Sequence, residues 1–248
     1  MIEFRNLHKS FDDVRILRGV DLTVEEGETL VLLGPSGTGK TVLIKHAIGL
    51  LEPDEGDVVV DGISIASASA AELRSVRRRI GYVFQNAALF DSLTVAENLW
   101  LAQTDERENR PLAACRGAAI DLLRRVNLDA AVLDKLPGEL SGGMRKRVGV
   151  ARAIAHRPRY LLWDEPTTGL DPVNADNIDD LIRELGRELG VTSIVVTHDL
   201  DTAFEVGDRI ALLYDGRVRA CQRPDEIVRN EDTVVQRFVR RGRADAVA

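Results

Sequence analysis

The chain has 248 residues, 44% of them hydrophobic, with 33 Lys and Arg against 40 Asp and Glu for a net charge of −7. That apolar content suits one large α/β domain or two small ones and excludes a disordered chain. The negative balance opposes a nucleic-acid surface; the basic stretch of Arg74 with Arg77-Arg78-Arg79 has no interleaved aromatics and reads as a solvated helix face.

Cys115 and Cys221 are far apart and lack metal-ligand spacing, which points to free thiols in a reducing compartment. The start, Met1-Ile2-Glu3-Phe4-Arg5, lacks the basic-then-apolar order of a secretory signal. No apolar run approaches the ~20 residues of a membrane span. The expectation is a soluble chain that meets a membrane only through a partner.

In chain order, residues 2–4 and 20–24 read as strands, as does Thr29–Leu33, a buried run that stops at Gly34. Leu43, Ile44, Ala47, Ile48 and Leu51 then recur at helical spacing. Val58-Val59-Val60, Asp61-Gly62 and Ile63 read as a hairpin closed by a primed turn, which predicts an antiparallel sheet beside the main one. Residues 80–84 form another buried strand. From about residue 93 to 155 the pattern is helical, with Pro111 as the first residue of a helix bearing Leu112, Cys115, Ala119, Leu122 and Val126 on one face. Strands resume at 160–163, 194–197 and 210–213, alternating with helices at 174–189 and 201–206. Residues 224–240 read as two short terminal helices. The alternation predicts a mostly parallel α/β sheet.

Gly34-Pro35-Ser36-Gly37-Thr38-Gly39-Lys40-Thr41 fits the phosphate-loop pattern G-x-x-x-x-G-K-[ST], in the strand-loop-helix context that the loop requires. The glycines let N–H groups curl toward phosphate oxygens. Lys40 supplies a point charge for the β and γ phosphates, and Thr41 offers a hydroxyl to Mg²⁺. The following helix turns its positive end to the anion. A chance glycine-rich turn is the competing reading, and the context counts against it.

Asp164 and Glu165 end an apolar strand. Beside a phosphate loop, Asp164 is placed as a carboxylate near Mg²⁺ and Glu165 as general base for an attacking water. Without the loop they would be an acid pair entering the turn Pro166-Thr167-Thr168-Gly169. His198 follows a strand at the end where ligands sit in such sheets, a candidate γ-phosphate contact against a plain surface or core histidine. Gln85 ends another strand, a candidate contact to Mg²⁺ or water against a polar strand cap. Ser141-Gly142-Gly143 precedes a helical run with Ser141 as candidate N-cap. It is either a capped helix alone or a second phosphate site, and the latter suggests a nucleotide held between two copies of the chain.

With these motifs in order over almost its whole length, the chain resembles the ATP-binding subunits of ABC transporters. The resemblance implies an α/β P-loop NTPase fold. It implies one ATPase domain over residues 1–248: a RecA-like core at about 1–85 and 158–220 with an antiparallel β subdomain, a helical signature subdomain at about 86–157, and a helical tail at about 221–248. It implies ATP and Mg²⁺, with Lys40, Glu165 and His198 in catalysis and Thr41, Gln85 and Asp164 near the metal. Phe11 would stack on adenine, Gln85 would sense Mg²⁺ and the membrane partner, and Asp171 would stand in the D-loop. Two chains would pack head to tail as a homodimer, each ATP lying between one 34–41 loop and the other chain's Ser141 and Gly143. An integral membrane permease would hold the pair on the cytoplasmic face of the inner or plasma membrane. No nucleic-acid partner is expected.

A narrower resemblance lies in Gln85-Asn86-Ala87-Ala88-Leu89-Phe90-Asp91-Ser92-Leu93-Thr94-Val95, Ser141-Gly142-Gly143-Met144-Arg145-Lys146-Arg147, Gly169-Leu170-Asp171-Pro172-Val173 and the tail from Pro224 to Val239. These are similar to the ATPases of MCE-type lipid transporters, the Mla group, which implies lipid or phospholipid transport with an MCE-domain substrate-binding protein. Met144 stands where most signatures carry glutamine and the lipid group carries methionine. Val42 stands where Ser or Thr is common, implying a modest loss of nucleotide affinity. Thr168-Gly169-Leu170-Asp171 replaces the commoner Ser-Ala-Leu-Asp and keeps Asp171. The alternatives are another importer class or a division-type regulatory membrane complex. A small-molecule P-loop kinase has no need of a second phosphate site.

Overall fold

The computed structural model describes residues 1–103 and 111–245, with side chains as far as residue 239. Residues 104–110 of the predicted helical stretch and 246–248 of the predicted tail lie outside the described residues. Along the chain run β1 (Ile2–Phe11), β2 (Val14–Val24), β3 (Thr29–Leu33), α1 (Lys40–Ala47), β4 (Glu55–Val60), β5 (Ile63–Ser64), α2 (Ala70–Arg78) and β6 (Ile80–Val83). Three helices follow, α3 (Val95–Gln103), α4 (Leu112–Arg125) and α5 (Gly142–Ile154). Then come β7 (Tyr160–Asp164), α6 (Pro172–Leu189), β8 (Thr192–Thr197), α7 (Leu200–Val206), β9 (Arg209–Tyr214), β10 (Arg217–Gln222), α8 (Pro224–Ile227) and α9 (Thr233–Asp245).

The strands form two sheets. One is antiparallel with the order β2-β1-β4-β5; the other has the order β10-β9-β3-β8-β7-β6, parallel except where β10 pairs with β9. The predicted hairpin at 58–63 is present, and Asp61 and Gly62 are both left-handed, at φ 50° and 80°, as a primed turn requires.

Several boundaries differ from the sequence reading. β1 and β2 run well past the apolar runs at 2–4 and 20–24, because their outer halves are half-exposed and carry no apolar signature. β10 was not predicted: its burial is shallow throughout, although the Asp215-Gly216 turn before it, at φ 49° and 71°, repeats the hairpin signal of residues 61–62. Pro111 does not open α4 but caps it, with an extended ψ of 144°. Pro172 opens α6, two residues earlier than predicted, behind the N-cap Asp171.

Strand alternation splits the core in two. Leu30, Leu32, Tyr160, Leu162, Ile194 and Val196 face the antiparallel sheet and α1. Val31, Leu33, Leu161, Trp163 and Val195 face the other way, toward α5, α6 and α7. With both faces covered, the central strands read as unbroken apolar runs. Their parallel register aligns Leu33 with Thr197, Asp164 with Val196 and Val83 with Trp163. The segments carrying Gly34, Gln85, Glu165 and His198 therefore leave the sheet along one edge, where open α/β sheets bind ligands.

Candidate functional site

The 34–41 loop is built by glycine geometry. A Cβ on Gly34 would stand 2.3 Å from the Leu213 carbonyl oxygen of β9, so only glycine lets the loop pass there. Gly37 and Gly39 are left-handed, at φ 79° and 99°. Thr38 Oγ1 pins the loop by donating to Pro35 O at 2.9 Å. Gly39 N-caps α1 without a side-chain cap, leaving the first-turn N–H groups to an incoming acceptor.

Lys40, the first residue of α1, is buried, and its Nζ donates to Gly34 O at 2.7 Å and Pro35 O at 3.0 Å. Glu165 Oε1 lies 3.5 Å away. Burial pushes the ammonium below its ordinary pKa, opposed by the Glu165 and Asp164 charges. Thr41 Oγ1 donates to Asp164 Oδ1 at 2.5 Å, and Tyr82 Oη donates to Asp164 Oδ2 at 2.9 Å. Burial and then the Asp164 charge raise the Tyr82 pKa, which keeps the phenol a donor.

Glu165 takes a left-handed φ of 50°, a conformation that costs a non-glycine residue ~1 kcal/mol or more and gathers at functional positions. Its N–H extends the ladder to Val196 O at 2.9 Å. Its Oε2 accepts from Thr168 Oγ1 at 3.1 Å and lies 2.7 Å from His198 Nδ1. One carboxylate thus collects an ammonium, a hydroxyl and an imidazole.

A cavity of about 450 Å³ opens over these groups. Phe11, Ser36, Gly37, Gly39, Lys40, Thr41, Gln85, Glu165 and His198 all stand on its wall, with Ile16 and Val42 adding apolar lining. Asp164 sits behind Thr41. Gly34, Pro35 and Thr38 shape the loop away from the wall. Ser141, Gly142, Gly143 and Asp171 line no part of this cavity. Ser141 caps α5, its Oγ accepting from Met144 N at 3.2 Å. A Cβ on Gly143 would stand 2.8 Å from Asn174 Oδ1. Asp171 caps α6, accepting from Asn174 N at 3.0 Å and Asn174 Nδ2 at 2.6 Å, bonds that hold its carboxyl below the usual range.

Three groups escaped the sequence reading: Tyr82, Thr168 and Lys146. Tyr82 had a signal, since strand alternation places residues 82 and 164 on the same face as the core residues 80 and 162 that look toward α1. Thr168 and Lys146 had none beyond their closeness to known motifs.

Helices α6 and α7, which begin just after Asp171 and His198, meet at a buried carboxylate. Thr202 Oγ1 donates to Asp179 Oδ2 at 3.0 Å, while Oδ1 has no hydrogen-bond partner among the described residues. Burial pushes Asp179 up to about 7, aided by the charges of Asp199, Asp176 and Glu205 and opposed by the Thr202 bond. A folded pKa above the unfolded one means that stability present below pH ~4 is lost as pH rises toward ~7. Asp179→Asn should therefore be more stable than wild type at about pH 8, with the difference closing near pH 4. Urea midpoints at the two pH values check this; equal midpoints at both would contradict it.

The family described as ABC transporter matches residues 17–168 of the chain. The chain belongs to the ABC transporter family. It is an ATP-binding domain of that family with the P-loop NTPase fold, and it hydrolyses ATP. The methionine import ATP-binding protein MetN of Caulobacter vibrioides is 40% identical over 251 residues, covering 100% of this chain and 75% of that protein. The probable ribonucleotide transport ATP-binding protein mkl of Mycobacterium tuberculosis is 37% identical over 238 residues, covering 96% of this chain and 66% of that protein. The chain thus spans about two thirds to three quarters of these relatives. The ATP-binding cassette MJ0796, solved as a dimer in a post-hydrolysis state bound to ADP and Pi, superposes with a TM-score of 0.82 at 34% identity, over 90% of this chain and 99% of that one. The cbiO1 protein of Clostridium perfringens, part of the ABC transporter complex cbiONQ, gives 0.82 at 28% identity over 99% and 97%. Among the described residues of this ABC domain, no helix is long and apolar enough to cross a membrane.

Proposed function

We propose that this ABC ATPase energises a lipid or phospholipid transporter of the MCE type, acting as a homodimer on the cytoplasmic side of a membrane permease. The observation that carries the ATPase part is the Glu165 carboxylate, held over the phosphate loop within reach of Lys40, Thr168 and His198. In this reading residues 1–248 are one ATPase domain, and the helices between β6 and β7 are its signature-bearing part. Phe11 stacks on the adenine. Loop N–H groups and Lys40 hold the β and γ phosphates. Glu165 takes the proton from the attacking water, and His198 holds both the carboxylate and the γ-phosphate.

The residues present fit Mg²⁺. Thr41, Asp164 and Gln85 offer hard oxygens, and no group of three or more His, Cys, Asp or Glu able to hold a metal occurs among the described residues. That sparse set suits a cation that keeps its waters and shares phosphate oxygens. When bound, Mg²⁺ would neutralise charge on the β and γ phosphates.

Ser141 and Gly143 lie off the cavity of their own chain, as expected if they close the site of a second copy. The dimeric MJ0796 cassette supports that arrangement. The first-turn N–H groups of α5 would then stabilise charge on the γ-phosphate from the far side.

The lipid assignment rests on the signature with Met144 and on residues 85–95. The identity with MetN supports a second reading, amino-acid import. Purification of the chain with its membrane partners separates them. The lipid reading expects a permease together with an MCE-domain protein, and ATP hydrolysis that rises with added phospholipid. A permease with an amino-acid-binding protein, or a division-type membrane protein alone, would overturn the lipid reading and leave the ATPase intact.

A further inference from the structure

Helix α5 reaches the site by a second route. Lys146, one turn beyond Ser141, is half-buried, and its Nζ donates to Pro166 O and to Thr168 O, each at 2.6 Å. Both carbonyls belong to the turn that follows Glu165. Thr168 reaches back, its Oγ1 donating to Glu165 Oε2 at 3.1 Å. Two hydrogen-bonded steps therefore lead from α5 to the carboxylate.

Within the turn Pro166 and Thr167 are buried, but its own backbone hydrogen bonds are long, Leu170 N reaching Thr167 O at 3.2 Å. Glu165 is left-handed, Thr168 N reaches Glu165 O only at 3.3 Å, and Gly169 follows at φ 78° with open space around it. Two charge-assisted bonds from an ammonium, each at 2.6 Å, are shorter and stronger than either of those backbone bonds. Burial pushes the Lys146 pKa down, opposed by the Glu165 charge. A methionine would fill the same space without taking a charge out of water, so packing alone does not account for a lysine here.

The geometry points to Lys146 as a positioning residue for Glu165, one that ties the signature helix of a chain to the carboxylate of that same chain. The cross-site consequence rests on the two-copy site proposed above. The α5 N-terminus then faces ATP held by the partner copy, while Lys146 holds the turn whose Thr168 positions the carboxylate that serves the chain's own ATP. Closure on one nucleotide sets the carboxylate at the other. The start of α5 also touches Asn174 and through it Asp171, but neither of these lines the cavity.

Lys146→Met keeps the volume and removes the charge. Its kcat should fall about tenfold, with KM for ATP within about twofold and a Hill coefficient near one where wild type is sigmoidal. Thr168→Val cuts the same path, so the double variant should be no more than about twofold below the poorer single. Lys146→Arg keeps paired donors and should recover at least about half of the wild-type kcat. A kcat within about twofold of wild type in Lys146→Met overturns the assignment, whatever its melting temperature, and so do losses that multiply in the double variant. If Lys146→Met does not fold, Lys146→Gln takes its place in the cycle, and the same two results overturn the assignment. The two-copy reading fails separately, by Glu165→Gln binding ATP without forming a dimer.

Discussion

Glu165→Gln should stop turnover, lowering kcat by a factor of roughly 10²–10⁴, while ATP stays bound. The amide has the size of the carboxylate. Its oxygen can still accept from Thr168 Oγ1, which donates at 3.1 Å in the parent chain, so the turn keeps its shape. The attraction to Lys40 Nζ at 3.5 Å is lost, and with it the group able to take a proton from water. Nucleotide affinity should change by less than about threefold, because in the proposed reading Lys40 and the loop N–H groups hold the phosphates. Single-turnover hydrolysis and nucleotide titration separate the two quantities. Residual kcat above about a tenth of wild type would remove Glu165 from the role of base.

Lys40→Ala should act on the other quantity. The ammonium is a buried, charge-assisted donor, and such hydrogen bonds contribute about 1.5–3 kcal/mol each. Losing one or two phosphate contacts should weaken ATP binding by roughly 10²–10³-fold. Folding stability should change far less. The alanine leaves Gly34 O and Pro35 O without their donor, but it also removes a charge whose burial is unfavourable, as its lowered pKa shows. Isothermal titration with ATP and urea unfolding of the same variant test both halves. Unchanged affinity with a large loss of stability would make Lys40 a structural residue of the loop.

The parts of this molecule that the sequence exposed are those where one chemistry admits few residues. β3, β7 and β8 are covered on both faces, so they show as unbroken apolar runs. The 34–41 loop needs glycine at 34 because a carbonyl oxygen would meet any Cβ at 2.3 Å. The ends of β1 and β2 and all of β10 stayed hidden because half-exposed strands carry no apolar pattern. Tyr82 and Lys146 stayed hidden for a different reason. Their roles depend on meeting residues 82 and 20 positions away, and only the folded parallel sheet and the packed α5 create those meetings. Ser141 was legible as a helix cap and is one, whereas Asp171 was named only through the resemblance and its capping of α6 emerged with the fold. Their proposed contact with nucleotide belongs to a second copy, which no single chain displays. The transported molecule is legible only through resemblance, because in the proposed reading the cavity over Lys40 and Glu165 takes a nucleotide and the cargo passes through partners.

The proposed mechanism stands or falls on ATP being held between two copies of this chain. The solution mass of Glu165→Gln, from a chain of 27.3 kDa, decides this by light scattering with and without ATP and Mg²⁺. The mass should double with ATP and Mg²⁺, stay single with ADP, and stay single with ATP when Ser141→Arg is added. An ATP-saturated Glu165→Gln chain that remains monomeric, or a dimer indifferent to Ser141→Arg, would contradict a shared site.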